Sequence, residues 1–216
     1  MSLHAEEYEQ ISVDVRANNI SGNSYYISGY SGSATEFEGF ISNAGFVITS
    51  DGVLVFDPLN IRYITDSTNM QLWNSHNPFR ACFISSNGHI ILWDYKGLNL
   101  LSSFNPLVKE VRNSASMFYF ANGDKIDTDA KNFSIEITDI LSSHCGKGRR
   151  LAVDKIQIHG LRALEKQGIQ VVDGEEVMER TRSIKGEQEI NAMRCAIYSC
   201  EMGMHEMRKF SLPRVT

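Results

Sequence analysis

A strand–helix–strand unit late in the chain limits the possible folds more than any other feature. Residues 151–154 form a short apolar run, and residues 158–164 place their apolar side chains on one helical face. Gly168 is a natural helix stop, and residues 169–172 form a second apolar run. A helix between two such strands is the usual crossover between parallel neighbours in a sheet.

A β-hairpin is predicted earlier in the chain. The apolar runs 81–84 and 89–93 flank Ser-Ser-Asn-Gly, and Asn-Gly between two such runs is a strong hairpin signal. Residues 117–120 are predicted as another strand, and residues 127–142 as an amphipathic helix. Its expected buried side is Ala130, Phe133, Ile137 and Ile140. The sequence therefore predicts an α/β fold in which a mixed β-sheet is flanked by helices.

Charge and cysteine content exclude several classes of protein. The 216 residues carry a net charge of −5, which has the wrong sign for a nucleic-acid or anionic-membrane partner. The four cysteines form no C-x-x-C pair, so neither a zinc ribbon nor a redox dithiol is encoded. The acidic N-terminus does not resemble a secretory signal, and no apolar run approaches about 20 residues. We therefore expect a cytoplasmic protein with neither a nucleic-acid nor a membrane partner.

The last helical segment carries a narrow apolar stripe. Its members recur at alternating spacings of three and four: Ile190, Met193, Ile197, Cys200, Met204 and Met207. Gly186 can cap this helix, with Glu189 three positions later as in a capping box. The stripe must pack against something. Two interpretations stay open: it packs on the preceding sheet, or it opens a second domain.

Residues 57–80 are the densest polar and aromatic stretch and make the best candidate binding segment. Arg62 and Arg80 can clamp a carboxylate, while Tyr63 and Trp73 can face an organic cation or an apolar group. His76 completes the predicted substrate-binding set. Each residue also has a purely structural interpretation, since Trp73 can anchor a loop and an arginine can be a surface charge. The sequence contains no P-loop, dinucleotide fingerprint or nucleophile elbow, so no catalytic residue is predicted.

Several motifs resemble one enzyme family. Residues 53–65 (VLVFDPLNIRYIT) resemble the central motif of the N-terminal domain of creatinase, prolidase and aminopeptidase P. Residues 151–154, 168–174 and 182–194 resemble the end of that domain and its junction with the pita-bread metal domain. Residues 66–80, 93–96, 104–108 and 123–127 are most similar to the dimethylsulfoniopropionate lyases built on this fold. Residues 24–34 instead resemble aminopeptidase P.

The resemblance implies three segments and an incomplete enzyme. They are an N-terminal extension (1–24), a creatinase N-terminal-like domain (25–182), and a linker with the first pita-bread helix (183–216). Family members hold two divalent metal ions with two Asp, one His and two Glu of the C-terminal domain, and this sequence ends at Thr216 before any of them. No cofactor is expected in this chain, which alone should be inactive.

The role that the resemblance implies is structural. Such a domain supports a homodimer and shapes the site for a small-molecule substrate in the full-length enzyme. The first hypothesis is part of a lyase that releases dimethyl sulfide and acrylate. The alternatives are the N-terminal domain of an Xaa-Pro dipeptidase, aminopeptidase or creatinase-type hydrolase, and a stand-alone binding or scaffolding module.

Overall fold

The structure is a computed structural model. It describes residues 17–21, 24–27, 44–47, 51–97 and 99–210, with side chains from residue 51 onward. Most of the predicted extension (1–24), most of the 24–34 motif and the end of the chain after residue 210 lie outside the described residues. The domain boundaries after residues 24 and 182 stay predictions.

The described chain begins with four strands, after which helices and strands are interspersed. The strands are β1 (Ala17–Ser21), β2 (Ser24–Ile27), β3 (Ala44–Val47), β4 (Gly52–Val55), β5 (Ala81–Ser85), β6 (Ile90–Asp94), β7 (Glu110–Asn113), β8 (Arg150–Val153) and β9 (Gln170–Asp173). The helices are α1 (Pro58–Thr65), α2 (Gln71–His76), α3 (Leu100–Ser103), α4 (Tyr119–Asn122), α5 (Ile126–His144), α6 (Ile158–Lys166), α7 (Gly174–Ser183) and α8 (Glu187–Phe210). A 3₁₀ turn, Gly123–Lys125, joins α4 to α5.

The main sheet is mixed and has six strands in the order β7-β6-β5-β4-β8-β9. Only β5 runs against its neighbours, so the carboxyl ends of the other five strands share one edge. We call this the carboxyl edge and the other the amino edge. Strands β1, β2 and β3 form a separate antiparallel sheet. The mixed sheet flanked by helices confirms the predicted α/β fold class.

Helices cover both faces of the main sheet because its buried strands are apolar on both sides. Leu54 faces α5 and α6, whereas its neighbours Val53 and Val55 face α1 and α7. The first face also buries Phe83, Trp93, Phe133, Ile137, Leu141 and Leu164; the second buries Ile61, Ile64, Leu92, Val177 and Met178. Each such side chain contributes about 1.5–3 kcal/mol relative to an exposed one.

Most of the predicted elements are confirmed. Strands β8 and β9 are parallel and joined through α6, and β5 and β6 form the hairpin, in which Gly88 has a φ of 83°. Helix α5 buries the four predicted residues. The strand predicted at 117–120 is wrong: α4 begins within it, at Tyr119, and the strand lies earlier, at Glu110–Asn113. In the described part of the chain, no helix combines the length and apolar character needed to cross a membrane.

The final helix, α8, stands apart from the core. Gly186 donates its N–H to Glu189 (2.7 Å), so one half of the predicted capping box is present. No residue of α8 is buried against the described part of the chain, and its apolar stripe is exposed. Packing of this stripe on the preceding sheet is therefore not seen. That the stripe belongs to a second domain stays a prediction.

A close backbone approach fixes the start of α7. A Cβ atom on Gly174 would lie 2.6 Å from the carbonyl carbon of Val153 and 2.8 Å from the N atom of Asp154. Gly174→Ala is expected to lower the free energy of unfolding by about 2–3 kcal/mol, because backbone atoms cannot swing aside. The matched control is Gly203→Ala in α8, where, apart from the surrounding helix backbone, no atom of the described residues lies within 4 Å of the new methyl group.

The control should leave stability unchanged or raise it by up to about 1 kcal/mol. Urea denaturation followed by tryptophan fluorescence measures both variants. Equal effects of the two substitutions would contradict the packing of α7 against β8.

Candidate functional site

The five predicted binding residues lie at the carboxyl edge of the sheet. Arg62 and Tyr63 belong to α1, which follows β4, and Trp73 and His76 belong to α2. Arg80 immediately precedes β5, whose first residue lies at the same edge. In sheets of this kind, ligands usually bind outside the carboxyl ends of the strands. The fold therefore brings the predicted residues to one side of the molecule.

Arg80 is buried and forms an ion pair with Asp94 at the end of β6. Its guanidinium Nε lies 3.1 Å from Asp94 Oδ1, and both side chains are at most 1% exposed. Arg80 also donates to the Ser67 hydroxyl (2.8 Å). Asp94 accepts further hydrogen bonds from the side chains of Ser102 and Asn69. Arg80 thus holds the segment between α1 and α2 against the sheet, and its charge is already compensated.

A second buried carboxylate, Asp154, joins β8 to the start of α1. Its oxygens accept hydrogen bonds from the N–H groups of Phe56 and Asp57 and from the side-chain amide of Asn60 (2.7 Å). Burial raises the pKa of Asp154 despite these donors. Asp57 caps α1 by accepting from two backbone N–H groups and also pairs with Lys155. Both carboxylates therefore support the local fold.

An aromatic surface covers the carboxyl edge next to this network. The ring of Trp73 is 39% exposed and meets Phe120 of α4 edge to face, with 6.3 Å between centroids. Phe120 is 80% exposed. A second aromatic group forms where Phe79 packs against Tyr95 and Phe118, with centroids 5.2 and 5.1 Å away. Such exposed rings on a rigid support can face an organic cation or an apolar ligand.

The other predicted residues differ in exposure. Arg62 and His76 are exposed on α1 and α2, whereas Tyr63 is half-buried against the apolar cluster beneath α1. Tyr95, which the sequence did not single out, donates its hydroxyl to Asn74 (2.9 Å). Burial raises the pKa of Tyr95 to about 12, so this hydroxyl stays protonated. Tyr95 therefore helps to fix α2.

Sequence reasoning missed Phe118 and Phe120 as site residues. Both lie in the segment that had been assigned to a strand, where alternate side chains would point to opposite faces. The structure instead turns at Phe118 and begins α4 at Tyr119. The cluster of aromatic residues at 118–120 was visible in the sequence, but its proximity to Trp73 was not.

A family model matches most of the described chain. The model is the creatinase/prolidase N-terminal domain, and it matches residues 48–184. This chain belongs to that family. The match includes the main sheet, from β4 to β9, and helices α1 to α7. The resemblance drawn from the motifs is therefore confirmed.

Two curated relatives are dimethylsulfoniopropionate lyases. DddP of Roseovarius nubinhibens is 57% identical over 160 residues, which cover 74% of this chain and 36% of the relative. DddP of Roseobacter denitrificans is 55% identical over 164 residues, which cover 76% of this chain and 37% of the relative. The chain thus matches little more than a third of the length of these relatives.

The implied pair of metal ions does not fit the described residues. One group of three potential ligands comes together there, namely His89, Glu110 and His144. Two histidines and one glutamate differ from the two Asp, one His and two Glu that the family resemblance implies. No catalytic step through the family's metal centre is therefore derived from this part of the chain.

Arg80 and Arg62 should respond differently to neutralisation. Arg80→Met leaves Asp94 buried without its cation, so we expect the free energy of unfolding to fall by about 3–5 kcal/mol. Arg62→Met, the matched control at an exposed position, should change it by no more than about 0.5 kcal/mol. Urea denaturation at neutral pH measures both. Similar changes in the free energy of unfolding for the two variants would contradict a stabilising role for the buried Arg80–Asp94 ion pair.

The Asp57–Lys155 pair predicts a pH-dependent stability. Burial alone would raise the pKa of Asp57, but Lys155 and the backbone N–H groups of α1 outweigh it, and the pKa falls below 3.8. In the unfolded chain Asp57 has its ordinary pKa of 3.8. The lowered pKa in the folded state therefore stabilises the protein fully above pH 3.8, and this stabilisation is lost as the pH falls through the folded-state pKa. Lys155→Met should therefore lose stability near neutral pH, and the difference from wild type should shrink in acid.

Urea denaturation between about pH 2 and pH 7 tests this expectation. The control is Lys131→Met, at an exposed position in α5. A difference between wild type and Lys155→Met that stays constant across the range would contradict the pairing.

Proposed function

We propose that the chain is the N-terminal domain of a metal-dependent lyase that releases dimethyl sulfide and acrylate from dimethylsulfoniopropionate. The identity of 57% and 55% to two DddP lyases is the observation that carries this proposal. The domain itself is non-catalytic and helps to shape the substrate site. The full-length enzyme would hold the metal ions through ligands outside this chain, and those ions would supply the Lewis acid chemistry.

The aromatic surface supports this substrate class. Dimethylsulfoniopropionate carries a sulfonium at one end and a carboxylate at the other. The exposed ring of Trp73, held edge to face by Phe120, offers a π face to the sulfonium. Arg62 lies on the adjoining helix and is exposed, so its guanidinium can reach a substrate carboxylate in competition with the neighbouring Asp66.

The five predicted residues then divide into two groups. Arg62, Trp73 and His76 are exposed and contact the substrate in the full-length enzyme. Arg80 and Tyr63 are positioning residues: Arg80 holds the α1–α2 segment through Asp94, and Tyr63 packs α1 on the core. This division gives a buried arginine a role without requiring it to leave its ion pair.

We also propose that the exposed stripe of α8 packs within a pita-bread domain and that the complete enzyme is a cytoplasmic homodimer. Apolar residues that repeat every three or four positions along a helix form a continuous apolar face, as they do in this helix of 24 residues. Such a face normally packs against another element instead of facing water. In this arrangement the present domain contributes its aromatic surface to a catalytic site formed elsewhere.

The experiment uses a chimera in which this chain replaces the matching segment of Roseovarius nubinhibens DddP. Acrylate and dimethyl sulfide release are measured against substrate concentration. Trp73→Ala should raise KM by about 2- to 30-fold, the range expected for one cation–π contact. Trp73→Phe keeps a π face and should have a smaller effect.

Leu72→Ala provides the matched control, because Leu72 is the 80% exposed neighbour of Trp73 on α2. It should leave KM unchanged. An equal rise in KM for Leu72→Ala would contradict a specific contact by Trp73. A chimera that is folded but releases no acrylate would contradict the proposal that this chain is the N-terminal domain of such a lyase.

A further inference from the structure

Three potential metal ligands meet at the amino edge of the main sheet. His89 directly precedes β6, Glu110 begins β7, and His144 is the last residue of α5. Their ligand atoms all lie within 4.8 Å of one another. His89 Nε2 is 2.9 Å from Glu110 Oε1, and His144 Nε2 is 3.8 Å from the same oxygen.

These separations suit a small divalent ion. With metal–ligand bonds of about 2.0–2.2 Å, two ligands of a tetrahedral zinc site lie about 3.4 Å apart. The two distances to Glu110 bracket that value. We propose that His89, Glu110 and His144 form a binding site for a divalent transition-metal ion of the zinc class. This site is independent of the lyase assignment.

Arg112 orients the carboxylate of the proposed site. Its Nε and terminal nitrogen donate to Glu110 Oε2 at 3.1 and 2.6 Å, while its other terminal nitrogen donates to Glu136 (2.7 Å). Glu110 Oε1 is thereby directed toward the two histidines. Partners that fix a ligand in this way commonly support metal sites. Glu136 also offsets the charge of Arg112, so the positive charge of this arginine repels a bound metal ion only weakly.

The directions of the pKa shifts of Glu110 and His144 are compatible with the geometry of a metal site. Hydrogen bonding and charge from Arg112 lower the pKa of Glu110, which is therefore ionised at neutral pH. Burial, together with the proximity of His89, lowers the pKa of His144. A neutral imidazole offers a lone pair, which is the form that binds a metal.

Metal binding requires one rearrangement. The rings of His89 and His144 are stacked, with 3.9 Å between centroids and 16° between planes. The nitrogen lone pairs lie in these nearly parallel planes and therefore do not converge on one point. One ring must turn for both to point at one ion. His144 has room to do so, because it borders an open groove of about 420 Å³. The groove also leaves space for water as a fourth ligand.

The test is isothermal titration of the 216-residue chain, made without a histidine tag, with zinc chloride. We expect one ion per chain. Glu110→Gln and His144→Ala should each weaken the affinity by at least about 10-fold, as expected when a metal site loses a ligand. Circular dichroism without metal confirms that each variant is folded, and Glu110→Gln preserves the shape of the side chain.

His159→Ala is the matched control. His159 lies 2.8 Å from a single carboxylate, that of Asp127, and belongs to no group of three ligands among the described residues. This variant should bind zinc like the wild type. Cobalt(II) gives a second measurement, since visible bands of a tetrahedral ion should appear in wild type and vanish in His144→Ala. Zinc binding that is absent, insensitive to both ligand variants, or equally reduced by His159→Ala overturns the proposal.

Discussion

The buried ion pair between Arg80 and Asp94 determines where the candidate binding residues lie. It joins the segment between α1 and α2 to the carboxyl end of β6 through contacts that include Ser67 and Asn69. A buried charge without its partner costs several kcal/mol, so the two side chains must stay together in the folded state. The exposed face of α2, including Trp73, is held in place because the chain on either side of it is fixed. A helix of only six residues is thereby held by contacts of the chain on both sides of it.

The aspartates at the carboxyl edge stabilise the fold. Asp57 and Asp173 cap α1 and α7, Asp154 accepts from the backbone at the start of α1, and Asp94 pairs with Arg80. Such carboxylates at strand ends can suggest a metal or catalytic centre. Here their oxygens already accept hydrogen bonds from the protein. The groups left to meet a ligand are the side chains on the outer surfaces of α1, α2 and α4.

The sequence predicted what depends on local pattern. The Asn-Gly turn and the stripe of α5 are short-range signals, and both elements formed as expected. Strand β7 escaped prediction because it is an edge strand with two charged side chains, Glu110 and Arg112, that carries no apolar alternation. The burial of Arg80 depends on a partner 14 residues away, and the histidine pair on residues 55 positions apart. Such pairings depend on the register of the sheet, which one sequence does not reveal.

The two edges of the sheet differ in what their charged groups do: the buried Arg80–Asp94 pair at the carboxyl edge holds the fold together, whereas His89, Glu110 and His144 at the amino edge are partly exposed. At the carboxyl edge, replacing Asp154 or Arg80 removes contacts that the core requires, whereas Trp73 and Arg62 are exposed and can change with little loss of stability. At the amino edge, His89 and His144 share one carboxylate oxygen in a partly exposed position. The two imidazoles share a single oxygen of Glu110, whereas the proposed ion would accept a lone pair from each of the three side chains at once, which is why a cation suits this edge better than the carboxyl edge.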